Sequence, residues 1–182
     1  MTTLGRPNSA LLVIDVQNDV VAEAYKRDSV VERIQSAVEK ARAKGTPVIW
    51  VQHSDDYLAV DSLGWQIVPE LEPLPDEPIV QKLYGSSFEG TNLENLLESG
   101  GIGHLFISGA ETNHCVRHTS HAALERGYDI TLLSDAHTTS DGEGAHGDIH
   151  ASQIVDEQNQ GFDGYSLPGR TARASKVAES AL

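Results

Sequence analysis

The sequence predicts an α/β domain, a three-layer α/β/α sandwich around a mostly parallel, Rossmann-like sheet of about six strands. Three observations carry this expectation. Short apolar runs alternate with longer stretches of helical period, the pattern of strands joined by crossover helices. The first apolar run, Ala10 to Ile14, is continuous rather than alternating, as in a strand covered on both faces. The chain has 182 residues, 39% of them hydrophobic, which suits one globular domain with a core of its own and argues against disorder.

The elements follow in order. Ala10 to Asp15 is the first strand. After it, Val30, Val31, Ile34, Val38 and Ala41 recur at helical spacing, and Gly45 stands where a C-terminal cap belongs. Further strands are expected at Pro47 to Gln52, Ile79 to Gln81, Leu105 to Ser108 and Asp129 to Leu133, with a weak last one around Arg173 to Val177. Pro69, Pro73, Pro75 and Pro78 turn the stretch before the third strand into a rigid loop crossing. From Thr91, Leu93, Leu96 and Leu97 mark a short helix that stops at Gly100 and Gly101. Val116, Ala122, Ala123 and Leu124 mark a helix from Asn113 to Arg126, closed by Gly127, and another is expected over Ala145 to Gln160. Residues 1–182 therefore read as a single domain, with about 161–182 as an extension or edge strand.

Charge and cysteine content narrow the partners. Twenty-seven acidic against 13 basic residues give a formal charge of −14, so binding to nucleic-acid phosphates is not expected, and an anionic membrane surface would repel the chain. A small-molecule substrate remains the expected partner. The single cysteine, Cys115, cannot form an intramolecular disulfide, which points to a reducing cytoplasm. Met1 to Ala10 does not read as a signal peptide, and no apolar stretch approaches the roughly 20 residues that span a bilayer.

In an open parallel sheet, ligands bind beyond the carboxyl ends of the strands. Asp15, Lys82 and Cys115 each follow a predicted strand closely and supply a carboxylate, an ammonium and a thiol. A cysteine in a helix's first turn faces unpaired N–H groups, which lowers its pKa, and a neighbouring lysine would stabilise the thiolate further. A carboxylate could take up and return its proton. Each residue alone also has a plain reading: a small buried hydrophobe for Cys115, a turn residue for Asp15, a solvated surface charge for Lys82.

Taken jointly and in order, three segments resemble the signatures of the isochorismatase-like cysteine hydrolases. They are Leu12-Val13-Ile14-Asp15-Val16-Gln17-Asn18-Asp19, Gln81-Lys82-Leu83-Tyr84-Gly85-Ser86-Ser87-Phe88-Glu89-Gly90-Thr91, and Ser108-Gly109-Ala110-Glu111-Thr112-Asn113-His114-Cys115-Val116. The likeness continues through Ala122-Ala123-Leu124-Glu125-Arg126-Gly127-Tyr128 and Ser134-Asp135-Ala136, and covers most of the chain from Ala10 to about Gln160. The resemblance implies a catalytic set of Asp15, Lys82 and Cys115, with Cys115 attacking an amide-type carbonyl to give a thioester. It also implies a cis peptide between Ala110 and Glu111, and an oxyanion hole from the backbone N–H groups of Glu111 and Cys115. Isochorismatases proper, which cleave a vinyl ether, lack the cysteine, so Cys115 favours the amide-cleaving branch; vinyl-ether cleavage by Asp15 and Lys82, or a non-catalytic binding protein on the same fold, are the alternatives. Members that bind a metal do so through an Asp-x-His motif after the second strand. Here that stretch reads Trp50-Val51-Gln52-His53-Ser54-Asp55-Asp56, with no second histidine before Lys82, so neither a metal nor another cofactor is expected.

Other patterns carry less. His114, Cys115, His118 and His121 could present ligands from one helix, and His114/His118 and His146/His150 share the spacing of a zincin helix. Cys115 and Gly147 stand where the general-base glutamate belongs, so these are read as surface or contact histidines. Gly100-Gly101-Ile102-Gly103 precedes a strand instead of following one, outside the dinucleotide-binding context, and Asp141-Gly142-Glu143-Gly144 lacks calcium-loop spacing. Substrate contacts are expected from Asn18, Asp19, Tyr84, Phe88 and His114 in or beside the motifs, and from His53 and Trp65 as pocket walls, packing being the alternative for each. The resemblance implies a homodimer or homotetramer.

Overall fold

The computed structural model describes residues 4–145 and 147–182; His146 of the second zincin-like spacing lies outside the described residues. The chain opens with β1 (Asn8–Ile14), passes through a single helical turn α1 (Asn18–Val21) and enters the long helix α2 (Arg27–Lys44). Gly45 ends α2 in the left-handed conformation, and its N–H reaches the carbonyls of Ala41 and Arg42. Next come β2 (Val48–His53), the proline-rich crossing, β3 (Ile79–Lys82), α3 (Leu93–Ser99) and β4 (Ile102–Ala110). A π-helical turn, Thr112–Val116, leads into α4 (Arg117–Glu125) and β5 (Asp129–Thr138). The remainder is a hairpin of β6 (Gly142–Gly144) and β7 (Gly147–Ile149), helix α5 (Ala151–Phe162), and edge strands β8 (Ser166–Leu167) and β9 (Arg170–Ser175).

The central sheet runs β3-β2-β1-β4-β5-β9-β8, parallel except for β8. From β1 the order runs outward to β2 and β3 on one side and to β4 and β5 on the other. The switch point therefore lies between the carboxyl ends of β1 and β4, where this class of sheet opens a crevice. Alternate β1 side chains feed two cores. Leu11 and Val13 pack with Val31, Ile34 and Trp50 on the α2 side, while Leu12 and Ile14 join Leu93, Leu97, Val116 and Phe162 on the other. Gly109 is required where β4 passes β1. Its φ is +116°, and a Cβ there would stand 2.0 Å from the Ile14 carbonyl oxygen.

The architecture is the expected one, with local corrections. The sheet has seven strands rather than six, because β8 pairs antiparallel with β9 at the edge. The last parallel strand begins at Arg170, three residues before the expected Arg173. Ala172 supplies its buried position, and the Val177 N–H turns away to the Asp135 carboxylate at 2.9 Å. The final helix starts at Ala151, not Ala145, since its N-terminus is fixed by Asp141 Oδ1 accepting the Ala151 N–H at 2.7 Å and the hairpin occupies the preceding residues. Among the described residues no helix is long and apolar enough to cross a membrane.

Candidate active site

Each member of the Asp15, Lys82 and Cys115 set is delivered by a different strand of the crevice. Asp15 follows β1 directly, with φ at +50°, a backbone conformation that turns the chain sharply off the strand. Lys82 closes β3, in register with His53 on β2. Cys115 lies in the π-turn after β4, where the Val116 N–H reaches back five residues to the Glu111 carbonyl at 3.2 Å. The peptide bond between Ala110 and Glu111, just before that turn, is cis.

Asp15 and Lys82 meet out of water, and Cys115 is partly buried beside them. Lys82 and Asp15 are 2% and 1% exposed, and Nζ stands 2.7 Å from Asp15 Oδ2. The same nitrogen donates to Cys115 Sγ at 3.1 Å and faces His53 Nδ1 at 3.3 Å. This Asp15 approach is an ion contact. Neither carboxylate oxygen has a hydrogen bond of good geometry among the described residues, which leaves acceptor capacity for a proton.

Burial reverses the expectation of a thiol activated at rest. The Cys115 thiol is pushed up to about 12, first by burial and then by the Asp15 charge, with Lys82 pulling the other way. Burial also holds the Asp15 carboxyl above its ordinary value against the pull of Lys82. One ammonium supports one anion here, and Asp15 has the closer contact. A thiolate beside an ionised Asp15 would have to share that ammonium with a second anion.

Several neighbours frame this junction. Gln17, fully buried, clamps His53 from both sides: its Nε2 donates to the His53 carbonyl at 2.9 Å and its Oε1 accepts the His53 N–H at 2.8 Å. Gln17 and Gln52 also donate to the Trp65 carbonyl, at 2.7 and 3.1 Å, which ties the 54–68 loop to the strand ends. Sequence reasoning did not assign Gln17 or Gln52, nor Asp55, which contacts His53 Nε2 at 3.2 Å. The only signal in the sequence is the His-x-Asp spacing after the second strand.

The other sequence candidates are placed as follows. Asn18 Nδ2 donates to the Leu63 carbonyl at 2.8 Å, and the exposed Asp19 carboxylate lies against Gly64. The indole N–H of Trp65 is buried without a hydrogen-bond partner among the described residues. Tyr84 is half exposed beside Gly90, and His114 faces solvent from the π-turn. Phe88 belongs to the core, tilted against Tyr128 at 5.9 Å with the Arg126 guanidinium over its ring. His118 lies beside Gly85 and His121 against Phe162, and among the described residues no three His, Cys, Asp or Glu side chains gather as a metal site. A cavity of about 930 Å³ opens at the opposite end of the strands, between Arg6, Ser9, His104, Thr131 and Arg173, and none of Asp15, Lys82 and Cys115 lines it.

A family model described as the isochorismatase domain matches residues 9–155, from the first residues of β1 into α5 and through all three strand ends of the site. This chain belongs to the isochorismatase family. Among family relatives, a streptothricin hydrolase of Streptomyces noursei is 37% identical over 142 residues, 75% of this chain and 56% of that protein. The match thus spans little more than half of that relative. An isochorismatase from Pseudomonas putida KT2440 superimposes with a TM-score of 0.86 at 26% identity, covering 94% of this chain and 89% of that one. An N-carbamoylsarcosine amidase from Thermoplasma acidophilum does so with a TM-score of 0.75 at 25% identity, covering 97% and 100%.

Proposed function

We propose that this isochorismatase-family chain hydrolyses a C–N bond in a small amide, carbamoyl compound or lactam through a thioester on Cys115. One observation carries the reading: a buried ammonium that touches both a carboxylate and the chain's only thiol at the mouth of the sheet's switch point. The names of two relatives, streptothricin hydrolase and N-carbamoylsarcosine amidase, agree with C–N chemistry.

The steps balance within the chain's own residues. As Cys115 Sγ attacks the carbonyl carbon, its proton passes to Asp15, and Lys82 stabilises the sulfur as it loses that proton. The carbonyl oxygen becomes an oxyanion, received by the backbone N–H groups of Glu111 and Cys115. Such preorganised donors are typically worth roughly 3 kcal/mol each. Collapse of the tetrahedral intermediate breaks the C–N bond, and Asp15 gives its proton to the departing nitrogen. Water then attacks the thioester, losing a proton to Asp15, and the acid leaves as that proton returns to sulfur.

The test is a panel of primary amides, carbamoyl compounds and lactams, with intact-protein mass spectrometry to catch the acyl-enzyme. Turnover and the acyl adduct should both vanish in Cys115→Ala while the fold is kept. Undiminished turnover in that variant would overturn the mechanism. Pyruvate release from isochorismate, equal in wild type and Cys115→Ala, would instead select vinyl-ether cleavage by Asp15 and Lys82.

A further inference from the structure

We infer that His53 and Asp55 form a positioning pair that aims the Lys82 ammonium at Asp15 and Cys115. An ammonium has three N–H bonds directed tetrahedrally. Lys82 has two hydrogen-bond partners, Cys115 Sγ at 3.1 Å and His53 Nδ1 at 3.3 Å, and an ion contact to Asp15 Oδ2 at 2.7 Å, so its direction is set by all three together. Removing one leaves a buried N–H without a partner and frees the charge to swing away from the sulfur.

His53 can accept at Nδ1 only if that nitrogen carries no proton. Asp55 enforces this, because its Oδ2 lies 3.2 Å from His53 Nε2 and holds the ring proton there. Asp55 is itself pinned. Its Oδ1 accepts the backbone N–H groups of Tyr57 and Leu58, both at 2.8 Å, and these two bonds hold its carboxyl below the ordinary range and so in the acceptor form. The Gln17 clamp fixes the His53 backbone. A chain of defined donors and acceptors thus runs from a loop turn through Asp55 and His53 to the ammonium. His53 touches Lys82 and Asp55 touches His53, so both act through Lys82.

This assignment rests on Cys115 being the nucleophile, and the experiment separates the two ideas. The rate of Cys115 alkylation by iodoacetamide at mildly alkaline pH reads how well Lys82 holds the sulfur, and it needs no substrate. It is measured in wild type, Lys82→Ala, His53→Ala, His53→Asn and the double variant Lys82→Ala/His53→Ala. Losing the Nδ1 acceptor in His53→Ala should slow alkylation about tenfold, toward the Lys82→Ala rate. Asparagine carries an acceptor oxygen on the atom where histidine carries Nδ1, so His53→Asn should stay within about twofold of wild type. In the double variant, His53→Ala should add nothing to Lys82→Ala, whereas a general structural defect would add its own loss. Wild-type rates in His53→Ala, or additive losses in the double variant, would overturn the positioning role and leave the nucleophile standing. An alkylation rate indifferent to Lys82→Ala would overturn both. Long-range proton–nitrogen NMR of the unaltered protein gives a second reading: the neutral His53 ring should carry its proton on Nε2 with Nδ1 bare, and an Nδ1–H tautomer would refute the pair even if a variant failed to fold.

Discussion

The Lys82 ammonium lies 3.1 Å from Cys115 Sγ, near enough to hold a thiolate, yet Asp15 stands closer to it and has the prior claim. Burial first and the Asp15 charge second hold the thiol in its protonated form, and in the proposed mechanism Asp15 also receives its proton. These two effects separate in Asp15→Asn. Removing the carboxylate charge lowers the thiol pKa, so alkylation at pH 7 to 8 should become faster than in wild type. Loss of the proton acceptor should meanwhile reduce hydrolysis on the order of 10²- to 10⁴-fold. Slower alkylation in Asp15→Asn would mean that Asp15 does not load the thiol's pKa.

The site should prefer neutral or cationic amides to anionic ones. Between Lys44 and Arg117, the stretch that supplies β2, β3, β4 and the π-turn, Lys82 is the only lysine or arginine, and it is buried and paired. The loops carry Asp55, Asp56, Asp61 and Glu89 instead. Within a homologous series, adding a carboxylate to the substrate should lower kcat/KM by about tenfold or more through like-charge repulsion. A carboxylated amide that outperforms its neutral analogue would count against this.

Acid should destabilise the fold through His137. Its ring is buried between the Thr112 hydroxyl and Asn159 Oδ1, each at 2.9 Å, and burial pushes its pKa from 6.5 down to about 4. The unfolded chain then binds the proton that the folded one refuses. Stability is complete above about pH 6.5 and declines as pH falls toward 4, by on the order of 3 kcal/mol from this group. His137→Gln, which cannot be protonated, should flatten the melting temperature over that window, and an unchanged slope would assign the acid sensitivity to other groups.

Glu77 should be the anchor of the proline-rich crossing. Its carboxylate accepts two bonds from Arg42 at 2.8 Å, the Trp50 indole N–H at 2.7 Å and the Leu74 N–H at 3.0 Å, tying the loop to α2 and β2. Trp50 is only 1% exposed, so Glu77→Ala would strand a buried donor beside a partly buried guanidinium. A loss of about 3 kcal/mol in urea unfolding is expected, and a loss below about 0.5 kcal/mol would show that water replaces the carboxylate.

The alternation of apolar runs and helical periods determined the α/β class, because a strand buried on both faces must be continuously apolar and its crossover helix must show a stripe. Leu11 to Ile14 and Val30 to Ala41 obey those rules in the linear chain. Asp15 and Lys82 at strand ends and Cys115 in the turn after β4 are likewise legible as chemical side chains, since topology places strand ends and the turns that follow them together. Edge features were not. Ser166 and Leu167 form a strand only because β9 offers a free side, and Gly142–Gly144 pairs with Gly147–Ile149 ahead of α5, which the sequence predicts to start at Ala145. The state of the site was also hidden. Which of the two acids keeps its proton depends on how far burial outweighs the pull of one ammonium, and no linear pattern contains that distance. The same holds for Gln17, Asp55 and His53, whose roles arise only when β1, β2 and the loop after β2 are brought into register around Lys82. Sequence determined which groups the chain brings to the switch point; tertiary packing decided their solvation and separations, and with them which atom holds each proton.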